Sequence, residues 1–125
     1  FLNEENHVLL VEPISKDYWE IPGGVVEKNE SPLQACIREV EEELGLKWNI
    51  HRLLCVDYNS AHADKTESLM FIFLGGILQS SDISRIQYQE QELKGFQFVP
   101  TTDFYPVAAA VRRLKRNAAC FSKTK

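Results

Sequence analysis

The clearest hydrophobic pattern in the chain is an apolar stripe at helical spacing within residues 32–44. The stripe consists of Leu33, Ile37, Val40 and Leu44. Residues three and four positions apart share one face of a helix, so this face is expected to pack into a core. Ser31 is a favourable N-cap residue, Pro32 suits the first helical position, and Gly45 suits the left-handed residue that ends a helix. The pattern predicts a helix from Pro32 to Leu44.

Shorter apolar runs elsewhere predict strands that are separated by polar loops. The predicted strands cover residues 7–11, 52–58, 67–78 and 96–99. The third contains Gly75 and Gly76, where we expect a bend. Residues 79–94 predict turns or short helical segments, and a second helix is predicted from Pro106 to Ala118, followed by a frayed tail over residues 119–125. Strands interleaved with two helices predict an α/β fold with a mixed sheet between helical layers.

Three carboxylates share one face of the first predicted helix. Glu39, Glu42 and Glu43 lie three and four positions apart, and like charges at that spacing repel by roughly 0.2–0.5 kcal/mol per pair. They also lie in the last turns, near the negative end of the helix dipole. A bound divalent cation reverses both penalties, and carboxylate oxygens suit Mg²⁺ or Mn²⁺. The alternative interpretation is a solvated acidic face without a ligand.

Positions around this helix match a known sequence pattern. In chain order they are Gly24, Glu30, Arg38, Glu39, Val40, Glu42, Glu43, Gly45 and Leu46. With these residues at this spacing, residues 24–46 resemble the Nudix box, and every specified position is matched. Residues 19–24 also resemble the segment that leads into that box.

The resemblance implies a single Nudix hydrolase domain over residues 1–125, with an α/β/α sandwich and a mixed sheet. The chain begins at Phe1 and enters a strand almost at once, whereas the family has a further strand before this point. We therefore expect the first strand to be missing or incomplete. The implied activity is hydrolysis of a pyrophosphate bond in a nucleoside diphosphate linked to another group, written NDP-X, with Mg²⁺ or Mn²⁺ as cofactor.

The resemblance also implies roles for individual residues. The implied metal ligands are the Gly23 carbonyl and the carboxylates of Glu39, Glu42 and Glu43. Arg38 is expected to pair with carboxylates of the helix and the loop, Glu30 included, since its planar fork suits that task. The general base is left open. Glu92 is our first choice and Glu90 the second, both in a loop before a late strand, while Glu42 or Glu43 serves in other family members.

Composition and charge limit the other function classes. The net charge of −4 argues against nucleic acid as the main partner and leaves a small nucleoside diphosphate derivative as the expected one. Three cysteines without metal spacing, together with the lack of a signal peptide or a long apolar run, predict a cytoplasmic location without a membrane span. The oligomeric state is left open, and a homodimer is one candidate, since dimers are common among Nudix enzymes.

Two other hypotheses remain open at this stage. The first is a Nudix-fold module that binds or senses a nucleotide without cleaving it, although such modules usually have broken boxes and this one is complete. The second is an acidic domain that binds a protein partner and no small ligand. The first predicts ligand-induced stabilisation without product, and the second predicts that Mg²⁺ leaves thermal melting unchanged.

Overall fold

The structure is a computed structural model, which describes residues 1–61, 63 and 66–100. Its helices are α1 (Pro32–Leu44) and α2 (Ser80–Ile83). Its strands are β1 (Val8–Pro13), β2 (Arg52–Asn59), β3 (Ser68–Leu74) and β4 (Leu93–Val99). The predicted α/β class is confirmed, and so is the short helical element within residues 79–94.

Helix α1 has the bounds that the sequence predicts, because local chemistry determines both of its ends. The Ser31 hydroxyl accepts a hydrogen bond from the Gln34 backbone N–H at 3.1 Å, and the Gln34 side chain accepts one from the Ser31 N–H at 2.8 Å. This reciprocal capping box satisfies N–H groups that have no partner within the helix. At the other end Gly45 is left-handed, with φ 67°, and its N–H donates to the Glu41 carbonyl.

The strands form two antiparallel pairs, β1 with β4 and β2 with β3. Leu2 lies between two further segments, bridging Val8 in the antiparallel sense and Ile77 in the parallel sense. The pairing is therefore mixed, as predicted. The expectation of an incomplete first strand concerns residues before Phe1 and stays a prediction.

The predicted strand over residues 67–78 is too long. Strand β3 ends at Leu74, and only an isolated bridge at Ile77 continues the extended chain. The glycine pair explains the break. The Gly75 carbonyl accepts a hydrogen bond from the Trp48 indole N–H at 2.6 Å, and the Gly76 carbonyl accepts one from the Leu2 N–H at 2.9 Å. These carbonyls are thus bound by groups outside the β2–β3 ladder.

One large hydrophobic cluster joins the helix to the strands. Its fully buried members are Leu9, Val11, Val40, Leu44, Leu46, Ile50, Leu78 and Leu93. Leu33 and Ile37 pack against it from the rest of the predicted stripe. Because the apolar side of α1 is anchored here, its acidic side faces two loops. One loop precedes α1 and the other precedes β4. The core therefore determines where the carboxylates lie.

Some predictions fall outside the residues described. These are the second helix from Pro106 to Ala118 and the frayed tail over residues 119–125. Within the described part of the chain, neither helix has the length and apolar character needed to cross a bilayer.

Replacing Gly45 with alanine is expected to destabilise the fold by about 1–3 kcal/mol, because an L-residue is strained at this φ. A Cβ there also comes within 2.9 Å of the Gln87 carbonyl. The matched control is Gly95→Ala in β4, where a Cβ meets nothing within 4 Å. Urea unfolding of both variants measures the difference. Equal midpoints for the two would contradict this account of the helix end.

Candidate active site

Arg38 joins the glycine loop to the acidic face of α1. Its Nε and one terminal nitrogen donate to the two Glu30 oxygens at 3.1 and 2.7 Å, and that same terminal nitrogen donates to the Val25 carbonyl at 3.1 Å. The other terminal nitrogen donates to Glu39 at 2.9 Å and Glu42 at 3.1 Å. A guanidinium has five N–H groups, and these five bonds use all of them. The expected pairing with Glu30 is therefore present.

This network keeps both of its main partners charged. Hydrogen bonds from Arg38 lower the pKa of the Glu30 carboxyl, helped by the Glu27 backbone N–H and opposed by burial. In turn Glu30, followed by Glu39 and Glu42, raises the pKa of Arg38 against the effect of burial. The Glu30 side chain is only 15% exposed, so the contact is a well-defined part of the site.

Gly24 allows the loop to approach the helix closely. A Cβ built at this position overlaps the carboxyl group of Glu39. Only glycine leaves room for that carboxylate between the loop and Arg38. The Glu39 side chain is 17% exposed as a result. The close contact with Glu39 thus explains on steric grounds why the first position of the box is glycine in this structure.

Glu43 is the most perturbed acid of the site. Burial is the main cause that raises its pKa to about 7, and the negative charges of Glu39, Glu20 and Glu92 add to the effect. The Gly23 N–H, which donates to its carboxylate at 3.4 Å, works in the opposite direction. The charges of three acids, from α1 and two loops, therefore act on Glu43, and such a concentration of negative charge suits a cation.

The two loop candidates for general base differ in position. Glu92 belongs to the acids that raise the Glu43 pKa, and Glu90 does not. The Glu92 carbonyl accepts a hydrogen bond from the Ile14 N–H at 3.0 Å, which ties this loop to the one after β1. Both side chains lie on exposed residues. The structure thus brings Glu92 towards the helix carboxylates, and the choice of base remains a prediction.

Lys16 and Glu20 are neighbours of the site to which the sequence analysis assigned no role. The Lys16 ammonium donates to the two Glu20 oxygens at 3.1 and 3.0 Å and lies 5.7 Å from the centre of the Tyr18 ring. Burial works against its charge, but Glu20, with Tyr18 and Glu43 after it, outweighs burial and raises the Lys16 pKa. Glu20 lies within residues 19–24, the segment that leads into the box, and this position was the available signal that it lies near the site.

The predicted ligands fit a divalent cation by their chemistry. Within residues 1–61, 63 and 66–100, however, no three His, Cys, Asp or Glu side chains converge as a ready-made metal cluster. Two of the predicted ligands, Glu39 and Glu42, are instead bonded by one nitrogen of Arg38. Each carboxylate gives one oxygen to that nitrogen and keeps a second oxygen. Hard oxygen donors around a concentration of negative charge suit Mg²⁺ or Mn²⁺.

A sequence model of the NUDIX domain matches residues 1–119. The chain belongs to the Nudix family. The 8-oxo-dGDP phosphatase NUDT18 of Mus musculus is 34% identical over 88 residues, which are 65% of this chain and 26% of that protein. The RNA pyrophosphohydrolase of Halorhodospira halophila is 46% identical over 44 residues, 35% of this chain and 24% of that protein. The matched parts of this chain thus span about a quarter of the length of these curated relatives.

Solved structures support the same fold. The crystal structure of the MutT protein from Methanosarcina mazei Go1 matches with a TM-score of 0.73 at 19% identity, covering 94% of this chain and 87% of that one. At that identity the likeness concerns the fold alone. The Nudix-type fold expected from the box is therefore confirmed.

The raised pKa of Glu43 predicts a pH-dependent stability of the metal-free Nudix domain. Its ordinary value is 4.5 and its folded value is about 7, so between them the folded state holds a proton that the unfolded state releases. Stability is therefore lost as pH rises through this window. We expect Glu43→Gln to lose less stability than wild type between pH 5 and pH 7.5.

Thermal melting in the presence of a chelator measures this difference. The matched control is Glu41→Gln, an exposed acid on the same helix, which is expected to follow the wild type. The pKa of Glu30 is shifted in the opposite direction. Because Glu30 is present in every variant, its effect on stability cancels in the comparison. Identical pH profiles for wild type and Glu43→Gln would contradict the assignment.

Proposed function

We propose that this Nudix domain is a divalent-metal-dependent hydrolase that cleaves a pyrophosphate bond in NDP-X. The observation that carries the proposal is the complete box, in which Arg38 binds three of the box carboxylates while Glu43 lies among further acids. A binding module without catalysis does not need this full set of carboxylates.

The predicted metal ligands are the Gly23 carbonyl and the carboxylates of Glu39, Glu42 and Glu43. When bound, Mg²⁺ or Mn²⁺ neutralises the pyrophosphate and lowers the pKa of water. The Gly23 N–H donates a hydrogen bond to the Glu43 carboxylate, so the predicted metal ligands of the loop and the helix are held together. Glu39 and Glu42 each have a carboxylate oxygen beyond the one that Arg38 binds.

Arg38 acts as a positioning residue in this proposal. Its five hydrogen bonds hold Glu39 and Glu42 at one end and the Glu30 loop at the other. Carboxylates held in advance need no reorganisation when substrate and metal arrive. A lysine offers a single point charge and cannot span these partners in the same plane.

The base that takes a proton from the attacking water is proposed to be Glu92. Its support is the proximity of Glu92 to Glu43, which the pKa of Glu43 registers. Glu90 remains the second loop candidate, and Glu42 and Glu43 are the candidates on α1. A carboxylate within reach of the water, directly or through one further water, performs this step.

The substrate is proposed to be a small nucleoside diphosphate derivative. The support comes from the relatives, of which one is named an 8-oxo-dGDP phosphatase and another an RNA pyrophosphohydrolase. The first name specifies a nucleotide and supports this proposal, whereas the second specifies RNA. Hydrolysis in the cytoplasm and assembly as a homodimer remain predictions of the same proposal.

Replacing Glu42 with glutamine is expected to lower turnover by at least about a hundredfold while the fold survives, since the variant keeps the size and loses the ligand charge. The assay is a hydrolysis panel of nucleoside triphosphates, oxidised triphosphates, nucleotide sugars, ADP-ribose, NADH and diadenosine polyphosphates. Each compound is tested with Mg²⁺ and with Mn²⁺. Glu41→Gln is the matched control and is expected to retain activity.

The panel also separates the competing hypotheses. Cleavage by wild type and by Glu41→Gln but not by Glu42→Gln supports the hydrolase and identifies the substrate class. Full activity in Glu42→Gln would refute the proposed mechanism. Thermal stabilisation by a panel compound, with no product over hours, would favour the silent binding module.

Mg²⁺ at millimolar concentration is expected to raise the melting temperature of the wild type, because an ion that binds only the folded state stabilises it by mass action. The rise is expected to disappear in Glu39→Gln and to persist in Glu41→Gln. Differential scanning fluorimetry with and without Mg²⁺ measures it. An absence of any metal effect on wild type would favour the acidic partner-binding domain.

A further inference from the structure

The loop after β1 brings a lysine to the edge of the acidic site. Val11 and Glu20 exchange both backbone hydrogen bonds, at 2.8 and 3.0 Å, and so close the loop between them. The Ile14 N–H is bound to the Glu92 carbonyl at 3.0 Å, which holds the loop against a second loop of the site. Lys16 extends from this doubly held segment and binds the Glu20 carboxylate. The backbone position of Lys16 is therefore set by the fold.

The substrate needs a cation that Arg38 does not supply. All five N–H groups of Arg38 already donate to the glycine loop and to the box carboxylates. A pyrophosphate entering beside Glu43 and its neighbouring acids meets like charge on the protein side. Divalent ions offset part of that charge, and a basic side chain at the rim can bind oxygens that the ions leave uncovered.

Lys16 has the properties that this task requires. Its ammonium has three donors, and the bonds described go to a single carboxylate, that of Glu20. Its side chain is 40% exposed, so a ligand reaches it from solvent. Since the aliphatic stem is flexible, the ammonium can exchange one anion for another without moving the backbone.

We propose that Lys16 binds an anionic oxygen of the substrate's pyrophosphate and leaves the Glu20 carboxylate when it does so. The inference rests on the proposed function, because it assigns a substrate contact within the same site. In the absence of substrate, Glu20 holds the ammonium in position and keeps a cation beside the acids of α1. Exchange of Glu20 for a phosphate oxygen preserves a charged hydrogen bond on the lysine.

Glu20 competes with the substrate for Lys16 in this account, and its removal separates the proposal from a structural role. If Lys16 served only to hold the loop through the ion pair, Glu20→Gln would have the same effect as Lys16→Gln. If Lys16 binds the phosphate, Glu20→Gln removes a competitor and some repulsion. The two variants are then expected to change ligand affinity in opposite directions.

The test measures binding apart from turnover. Isothermal titration with α,β-methylene-ADP, whose bridging carbon cannot be hydrolysed, is carried out in Mg²⁺. Lys16→Gln is expected to weaken binding by about ten- to hundredfold, the typical effect of a lost charged hydrogen bond. Lys16→Arg is expected to restore most of it, and Glu20→Gln to bind more tightly than wild type. Lys47→Gln, at an exposed lysine beyond α1, is the matched control.

Each outcome decides between the proposals. Equal binding by wild type and Lys16→Gln would overturn the role of Lys16 and leave the hydrolase proposal intact. Weaker binding in Glu20→Gln, to the same degree as in Lys16→Gln, would show a structural role and would also overturn it. If wild type neither binds the analogue nor cleaves any compound of the panel, both proposals fail. If it cleaves a panel substrate, Lys16→Gln must raise KM for that substrate more than it lowers kcat.

Discussion

The site depends on the five hydrogen bonds of Arg38. They connect two groups of the glycine loop to two carboxylates of the helix. The loop groups are the Val25 carbonyl and Glu30, and the helix carboxylates are Glu39 and Glu42. Without a cation at this point, several carboxylates and the approaching backbone of the glycine loop would repel one another. The guanidinium serves this purpose because its donors lie in one plane and point in fixed directions. The loop can then pass close to the helix at Gly24, where no side chain fits.

Negative charge remains at the site beyond the three carboxylates that Arg38 binds. Glu43 lies beyond the reach of the guanidinium bonds, among Glu20, Glu39 and Glu92, and its pKa of about 7 reflects burial together with those charges. The hydrophobic core explains how such an arrangement persists. Val40 and Leu44, which follow Glu39 and Glu43 in the sequence, are almost completely buried and anchor the helix. Packing on one side of α1 thus stabilises an electrostatically unfavourable surface on the other.

Local signals predicted some parts of the structure closely, and others could not be predicted from them. The bounds of α1 follow from Ser31, Pro32 and Gly45, because capping depends on groups within a few residues of one another. The end of β3 does not follow from its apolar run, since the Gly75 and Gly76 carbonyls bind Trp48 and Leu2 from elsewhere in the chain. An apolar run continues to favour a strand even where tertiary partners remove its ladder bonds.

The sequence by itself determined the family, the first helix and the set of box carboxylates, because these depend on residue types at fixed spacing along one segment. Tertiary structure alone decided which other groups meet that segment. The positions of Lys16, Glu20 and Glu92 near Glu43 come from loops whose closure depends on the Val11–Glu20 bridge and the Ile14–Glu92 contact. Spacing along the chain carries no information about such contacts, since they arise only when separate loops are folded against the same core.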